Sequence, residues 1–180
     1  MKTISSIVLL LFFVGCATKS NSFHSLNEEA EIVRLAAEQY KTMEYEKFNI
    51  LEIPNNHYIE YYLKGLYQGP IELPGVTFSY TPNPILKWDK KKLGKSIASK
   101  KVVIVKNYDK IPIVSWETPE KASPYFSFSN PAFSKDGQYA IININFLPNL
   151  ELYGGLGYIM IFKKINGQWV YQDKFEAYLT

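Results

Sequence analysis

Two tight-turn signals in the last third of the chain constrain its fold more than any other feature. Asp136-Gly137 and Asn166-Gly167 are dipeptides typical of two-residue hairpin turns, in which the central residues adopt positive φ. Residues 139–146 before the second signal alternate like a strand with one buried side. The pattern predicts an antiparallel β-meander over residues 125–178, with one face buried and the other left to helices or solvent. One side of this predicted strand carries the apolar residues from Ala140 to Phe146, and the other side carries Tyr139, Ile141, Asn143 and Asn145.

A helix is predicted near the start of the domain. Ser25 and Glu28 fit a capping box, and the acidic residues of the first turn suit the positive end of the helix dipole. Apolar residues then recur at helical spacing, which predicts a helix over residues 27–46 with one buried stripe. The stripe consists of Ile32, Val33, Ala36, Ala37, Tyr40 and Met43.

The middle of the chain gives weaker signals. After the turn signal Pro54-Asn55-Asn56, residues up to 70 fit either a short helix or a strand. A short helix capped by Asp89 is expected between Trp88 and Ala98, and a short buried strand over Val102–Val105. Ile111–Trp116 is a further candidate strand, which Pro112 weakens. Together these signals predict a single α+β domain over residues 26–180, with an N-terminal helix and a C-terminal antiparallel β-meander.

The first residues have the order of a secretory signal peptide. Lys2 supplies a positive charge, Ile4–Val14 is an apolar run, and small residues follow at Gly15 and Ala17. The apolar run is about half of the ~20 residues that a membrane-spanning helix needs. Residues 1–15 are therefore predicted to be a signal peptide rather than a permanent membrane span.

The run Phe13-Val14-Gly15-Cys16 resembles a lipobox, the cleavage site of bacterial lipoprotein signal peptides, although Phe13 stands where leucine is usual. The resemblance implies that Cys16 receives a diacylglyceryl group and becomes the first residue of the mature chain. Residues 16–25 then form a lipidated, flexible tether, which includes His24. The expected location is the bacterial cell envelope, anchored to the outer membrane, and the expected first partner is the membrane itself.

The composition argues against disulfides and against the usual metal sites in the mature domain. Cys16 is the only cysteine, so the mature domain has no intramolecular disulfide, and with only His24 and His57 a Cys/His zinc site is not expected. We predict no metal and no cofactor, and export argues against nucleic acid as a partner. The net charge of +3 is unremarkable, but lysines cluster around Asp89, either as a patch for an anionic partner or as a solvated face, the interpretation that we favour. The cluster consists of Lys87, Lys90, Lys91, Lys92, Lys95, Lys100, Lys101 and Lys106.

Candidate catalytic or binding residues are few. A strand rather than a helix follows the glycines of 154–157, so a turn is favoured there over a phosphate loop. Tyrosines around His57, namely Tyr58, Tyr61, Tyr62 and Tyr67, either line a groove for a sugar or peptide or pack with their hydroxyls at the surface. Carboxylates without recognisable pairing are Glu60, Glu72, Asp109, Glu117, Glu120 and Glu151.

Four motifs in the second half of the chain form a recognisable pattern. They are Trp116, the run from Phe133 to Ala140, Gly154-Gly155-Leu156-Gly157-Tyr158, and the run from Lys163 to Trp169. The pattern resembles that of uncharacterised envelope lipoproteins of the Bacteroidetes, and the last hairpin also resembles the final strands of the NTF2-like fold. The resemblance implies no activity and no catalytic residues.

The sequence thus predicts a membrane-anchored envelope lipoprotein that is not an enzyme. Its expected role is binding or scaffolding, with an envelope protein or a glycan as partner. The alternative is a carboxylate-dependent hydrolase, because spacing in sequence does not determine spacing in the fold.

Overall fold

The computed structural model describes residues 26–41, 47–65, 73, 75–82, 86–106, 111–115, 117, 118, 121, 123–149 and 154–179. The predicted signal peptide, Cys16 and the tether lie outside these residues. The same holds for His24, Met43, Tyr67 and Trp116.

Strands dominate the described part of the chain. In chain order the elements are α1 (Leu26–Glu38), β1 (Lys47–Leu51), α2 (His57–Leu63), β2 (Phe78–Ser79), α3 (Lys90–Leu93), β3 (Ser96–Ile97), β4 (Lys100–Val105), β5 (Tyr125–Phe128), β6 (Ala132–Ser134), β7 (Tyr139–Leu147), β8 (Leu156–Ile165) and β9 (Gln168–Leu179).

All nine strands belong to one mixed sheet. β7 is central: β8 pairs with one of its edges, β5 and β6 pair in turn with the other, and β9 pairs with β8, always antiparallel. The predicted antiparallel meander is therefore present from β6 to β9, whereas β5 pairs with β7 and not with its neighbour β6, and the α+β prediction is corrected to a fold dominated by one mixed sheet. Beyond β5 the sheet continues with β1 and then β4, both in parallel pairings, and β3 closes that side. Parallel partners are far apart in sequence, so no local turn signal could predict them.

Both predicted hairpin turns are formed. Gly137 has φ 69° after Asp136, while Asn166 and Gly167 have φ 51° and 80°. Positive φ at both central residues of the second turn is the type I′ geometry, which matches the twist of the flanking strands.

The predicted N-terminal helix packs against one face of the sheet, which we call the helix face. The predicted stripe is buried from Ile32 to Tyr40, in one core with the large apolar residues of β1, β5 and β7. α1 ends at Glu38 rather than at residue 46, because the amides of Gln39 and Tyr40 bond carbonyls three residues back and tighten the last turn. The Tyr40 ring then lies edge-on to Phe126, with 5.3 Å between the ring centroids.

The opposite face of the sheet, which we call the second face, is also covered. α2 places Ile59 against a smaller core that contains Ile141, Ile159 and Phe175. The prediction that only one side of β7 is buried was therefore wrong, since every residue from Ala140 to Asn145 is buried, whichever face its side chain is on. The reason is that α2 lies on this face, so the ambiguous stretch is helical over His57–Leu63, while residues 66–70 lie outside the described residues.

Two further predictions need correction. The helix expected between Trp88 and Ala98 is limited to α3, where the Asp89 carboxylate accepts the Lys92 amide as a cap, 2.8 Å away. Gly94 ends it with φ 86°, and the chain turns back as β3 and β4. The strand expected at Val102–Val105 is present in β4, but only Val102 is buried.

Candidate functional site

Two asparagines lie buried next to each other on the second face of β7. Asn143 is 0% exposed and Asn145 is 2% exposed. The Asn143 side-chain amide donates to the Tyr158 carbonyl at 3.1 Å, and its backbone amide donates to Ser129 Oγ at 2.9 Å. The Oδ1 atoms of both asparagines are buried and receive no hydrogen bond from the part of the chain that the structure describes.

The neighbouring strands leave small groups beside these acceptors. Ser127 of β5 lies directly across from Asn145, and Gly157 of β8 lies across from it on the other side. All three residues are buried. The β8–β9 register shifts at Gly157, and glycine in a strand interior often marks a bulge or the close approach of another group. We call Ser127, Ser129, Asn143 and Asn145 the asparagine patch.

The asparagine patch lowers the stability of the folded state. A buried acceptor that receives no hydrogen bond costs about 1–3 kcal/mol. Turning the Asn143 amide over does not help, because Oδ1 would then face the Tyr158 carbonyl that its nitrogen now binds.

Amide networks flank the patch on two sides. Asn56, just before α2, exchanges two hydrogen bonds with Asn130, at 2.8 and 2.9 Å. On the other side Asn49 of β1 donates to Ser123 Oγ at 2.6 Å, and the Ser123 amide donates to the Asn149 side chain at 2.7 Å. These bonds attach α2 and the segment around Ser123 to the second face.

The tyrosines around α2 divide into two groups. Tyr62 packs on Phe175 with 5.2 Å between the ring centroids, so it belongs to the core under α2. The His57 ring lies edge-on to Tyr61 and Tyr58, with centroid distances of 4.6 and 5.1 Å. His57 is exposed, as predicted, and so is Tyr61. Tyr67 lies outside the described residues. We call His57, Tyr58 and Tyr61 the aromatic cluster.

Among the predicted carboxylates only Glu60 and Glu117 lie within the described residues. Glu60 pairs with Lys64 at 3.8 Å on the surface of α2. Burial raises the pKa of the Tyr80 phenol, and the charges of Glu60 and then Glu29 raise it further. Glu72, Asp109, Glu120 and Glu151 lie outside the described residues.

Glu29, in the first turn of α1, is a carboxylate that the sequence did not single out. Burial raises its pKa, and the positive charge of Lys92 opposes that effect. Its Oε2 atom and the Tyr80 hydroxyl are both buried, and neither has a hydrogen-bond partner among the described residues.

The eight clustered lysines lie on several consecutive elements. Lys87 forms an ion pair with Glu52 at 3.3 Å, and Lys92 donates to the Lys87 carbonyl at 2.7 Å. The others are spread over α3, the β3–β4 hairpin and both ends of β4. Lys101 lies directly beside Lys47 of β1, so the two like charges are neighbours in the sheet. Lys47 was not part of the predicted cluster.

In the described part of the chain, no helix is long and apolar enough to cross a membrane. No group of three or more His, Cys, Asp or Glu side chains arranged to hold a metal occurs among the same residues. The glycines of 154–157 lead into a strand, β8, as the sequence indicated.

One sequence signal pointed to the asparagine patch and was overlooked. A strand face in contact with water usually carries charged residues, whereas β7 has no charged residue anywhere between Tyr139 and Leu147. Its asparagines are thus uncharged polar groups in an otherwise apolar strand, which is typical of buried polar positions.

No family model matches the chain, and neither a curated protein nor a solved structure is significantly similar to it.

Proposed function

We propose that the protein is a lipoprotein that is anchored through Cys16 to the outer membrane of a bacterium and acts there by binding rather than by catalysis. The observation that carries this proposal is the coincidence of Phe13-Val14-Gly15-Cys16 with the end of an apolar signal segment. A second signal beside one acyl chain is needed for stable anchoring, and a diacylated cysteine supplies two chains at once.

The anchor has a direct test. Mass spectrometry of the membrane fraction should find a mature chain that begins at an acylated Cys16. Cys16→Ala should leave full-length, unacylated precursor, whereas the control Ser22→Ala in the tether should be processed normally. A soluble product cut at another position would refute the anchor.

The aromatic cluster supports the binding role. Tyr61 is 43% exposed, and Ile53, which precedes α2 along the chain, is 62% exposed. Aromatic side chains with one polar edge are enriched at interfaces because they bury large areas at little cost in conformational entropy. The partner in this proposal is an envelope protein or a glycan.

This surface can be tested with a matched pair of variants. Tyr61 and Ile165 are almost equally exposed, but Ile165 lies at the β8–β9 turn. Affinity isolation from solubilised envelopes should recover a partner with the wild type and with Ile165→Ala, and lose it with Tyr61→Ala. Equal recovery with all three would remove the aromatic cluster from the proposal.

One observation favours the second candidate, a carboxylate-dependent hydrolase. Burial raises the pKa of Glu29, as a general acid requires, and the charges of Glu29 and Glu60 both act on Tyr80. Hydrolysis of envelope glycans by the purified protein, lost in both Glu29→Gln and Glu60→Gln, would favour this candidate over binding alone.

A further inference from the structure

Three strands of the sheet have a neighbour on one side only among the described residues, namely β2, β3 and β9. β2 and β3 consist of two residues each, whereas β9 has twelve. A long edge strand presents a row of backbone amides and carbonyls that can pair with a strand of another molecule. β9 is therefore the edge of the sheet that most needs protection against such pairing.

Two bulges interrupt the edge of β9. Its register with β8 shifts twice, so that Gln172 and Ala177 are each an extra residue in the strand. A bulge bends its strand and increases the local twist. The regular parts of the edge before and between the bulges are 168–171 and 173–176, each shorter than a usual strand of about 5–6 residues. A straight partner strand can therefore follow β9 over a short distance only.

Side chains at the first bulge bind the backbone of β9 itself. The Asp173 carboxylate accepts the Lys174 amide at 2.7 Å. Because a backbone amide has a single hydrogen to donate, the Lys174 amide is not donated to β8 and belongs to the outer edge. The Gln172 side chain donates to the carbonyls of Val170 and Tyr171 at 3.4 and 3.3 Å. Backbone groups that are bound in this way are less available to an incoming strand.

Gln172 and Asp173 are both exposed, and neither belongs to an apolar core. Substitutions at such positions usually change stability little, so the two side chains can be replaced without disturbing the fold. Lys174 is less suitable for replacement, because its Nζ atom lies 5.4 Å from the centroid of the Tyr40 ring and 4.5 Å from that of Tyr158. The effect of the bulge on pairing can therefore be separated from its effect on folding.

We propose that Gln172 and Asp173 guard the edge of β9, and that without them β9 pairs with β9 of a second copy of this chain. Two identical antiparallel strands can pair about a two-fold axis, so each copy offers the other the same edge. The bonds to the backbone and the charge of Asp173 oppose this pairing and keep the molecules separate. The inference does not depend on the proposed binding function or on the lipid anchor.

The experiment measures the mass of the purified protein in detergent by light scattering after gel filtration, over a series of concentrations. The wild type should remain a monomer. The double variant Gln172→Val/Asp173→Val should dimerise with a dissociation constant lower by about tenfold or more, and its β9 amides should exchange with deuterium more slowly. The matched control Gln168→Val/Asp173→Asn removes the same charge and adds a valine to the same strand. It keeps Gln172 and an acceptor for the Lys174 amide, so it should stay a monomer.

The melting curve of each variant shows whether it is folded, and if the double variant is not, Asp173→Val alone decides the outcome. A folded variant that stays a monomer would overturn the inference. So would a dimer whose β9 amides exchange as fast as those of the wild type, because its copies would then meet through another surface. A wild type or a control that dimerises as strongly as the double variant would also show that Gln172 and Asp173 are not the guard.

Discussion

The two faces of the sheet are built from different chemistry. The helix face is one large core of aliphatic and aromatic residues such as Trp88, Phe126 and Phe162, whose buried polar atoms, among the described residues, are confined to the aromatic side chains of Tyr40, Trp88 and Trp169 and to a few polar residues at its edge. The second face has a smaller apolar core under α2, and beside it a buried patch of amides and hydroxyls with unused acceptors. Apolar burial is non-directional and tolerant, whereas buried polar groups are stable only with complete sets of partners. The difference suggests that the helix face supplies the larger share of the apolar stabilisation.

The largest expected effect comes from the helix face. Trp169 is 5% exposed and packs on Phe133 with 5.6 Å between the ring centroids. Trp169→Ala should lower the free energy of unfolding by about 3–5 kcal/mol. Val170→Ala, at the adjacent exposed position, should change it little. Urea denaturation measures both, and equal effects would contradict the assignment of stability to this face.

A smaller loss is expected on the second face. Ser129 Oγ accepts the Asn143 amide and donates to the Asn130 carbonyl, both at 2.9 Å. Ser129→Ala leaves the Asn143 amide without its acceptor and should cost about 1–3 kcal/mol. Ser96→Ala, on the exposed side of β3, serves as the control. A loss as large as that of Trp169→Ala would show that the faces do not differ in the proposed way.

The pH dependence of stability gives a finer test. Because burial raises the pKa of Glu29 above its ordinary 4.5, the folded state favours the protonated carboxyl. Its favourable contribution is present below pH 4.5 and is lost as the pH rises through the folded pKa. Glu29→Gln should therefore be more stable than the wild type at neutral pH, with the difference vanishing below pH 4.5. A difference that persists at low pH, or a similar one for the exposed Glu31→Gln, would argue against ionisation as the cause.

The lysines should have the smallest effect. Lys87 and Lys92 already have partners within the protein, and the rest are dispersed. We expect residues 19–180, without lipid, to bind anionic liposomes weakly or not at all at physiological salt. Tight, salt-sensitive binding that is abolished when Lys90, Lys91, Lys92 and Lys95 become Glu would make this segment a functional surface.

Local signals predicted the parts of the fold that are local. The Asp136-Gly137 and Asn166-Gly167 turns and the apolar stripe of α1 specify their elements within a few residues of sequence. The parallel pairing of β1 with β4 and β5 depends on contacts between distant segments, which periodicity does not report. The burial of Asn145 depends on the approach of Ser127 and Gly157 from neighbouring strands, and the absence of charge along β7 was its one local signal.

Adjacent residues of β7 provide the most direct test of the contrast between the faces. Ile144 is fully buried on the helix face, and Asn145 is buried on the second face. Ile144→Ala should lower the free energy of unfolding by about 2–5 kcal/mol. Asn145→Leu should leave it unchanged or raise it, because an apolar group of similar size replaces an acceptor that receives no hydrogen bond. If Asn145→Leu destabilises the protein as much as Ile144→Ala, the Asn145 carboxamide is a stabilising part of the core, and the account of the second face is wrong.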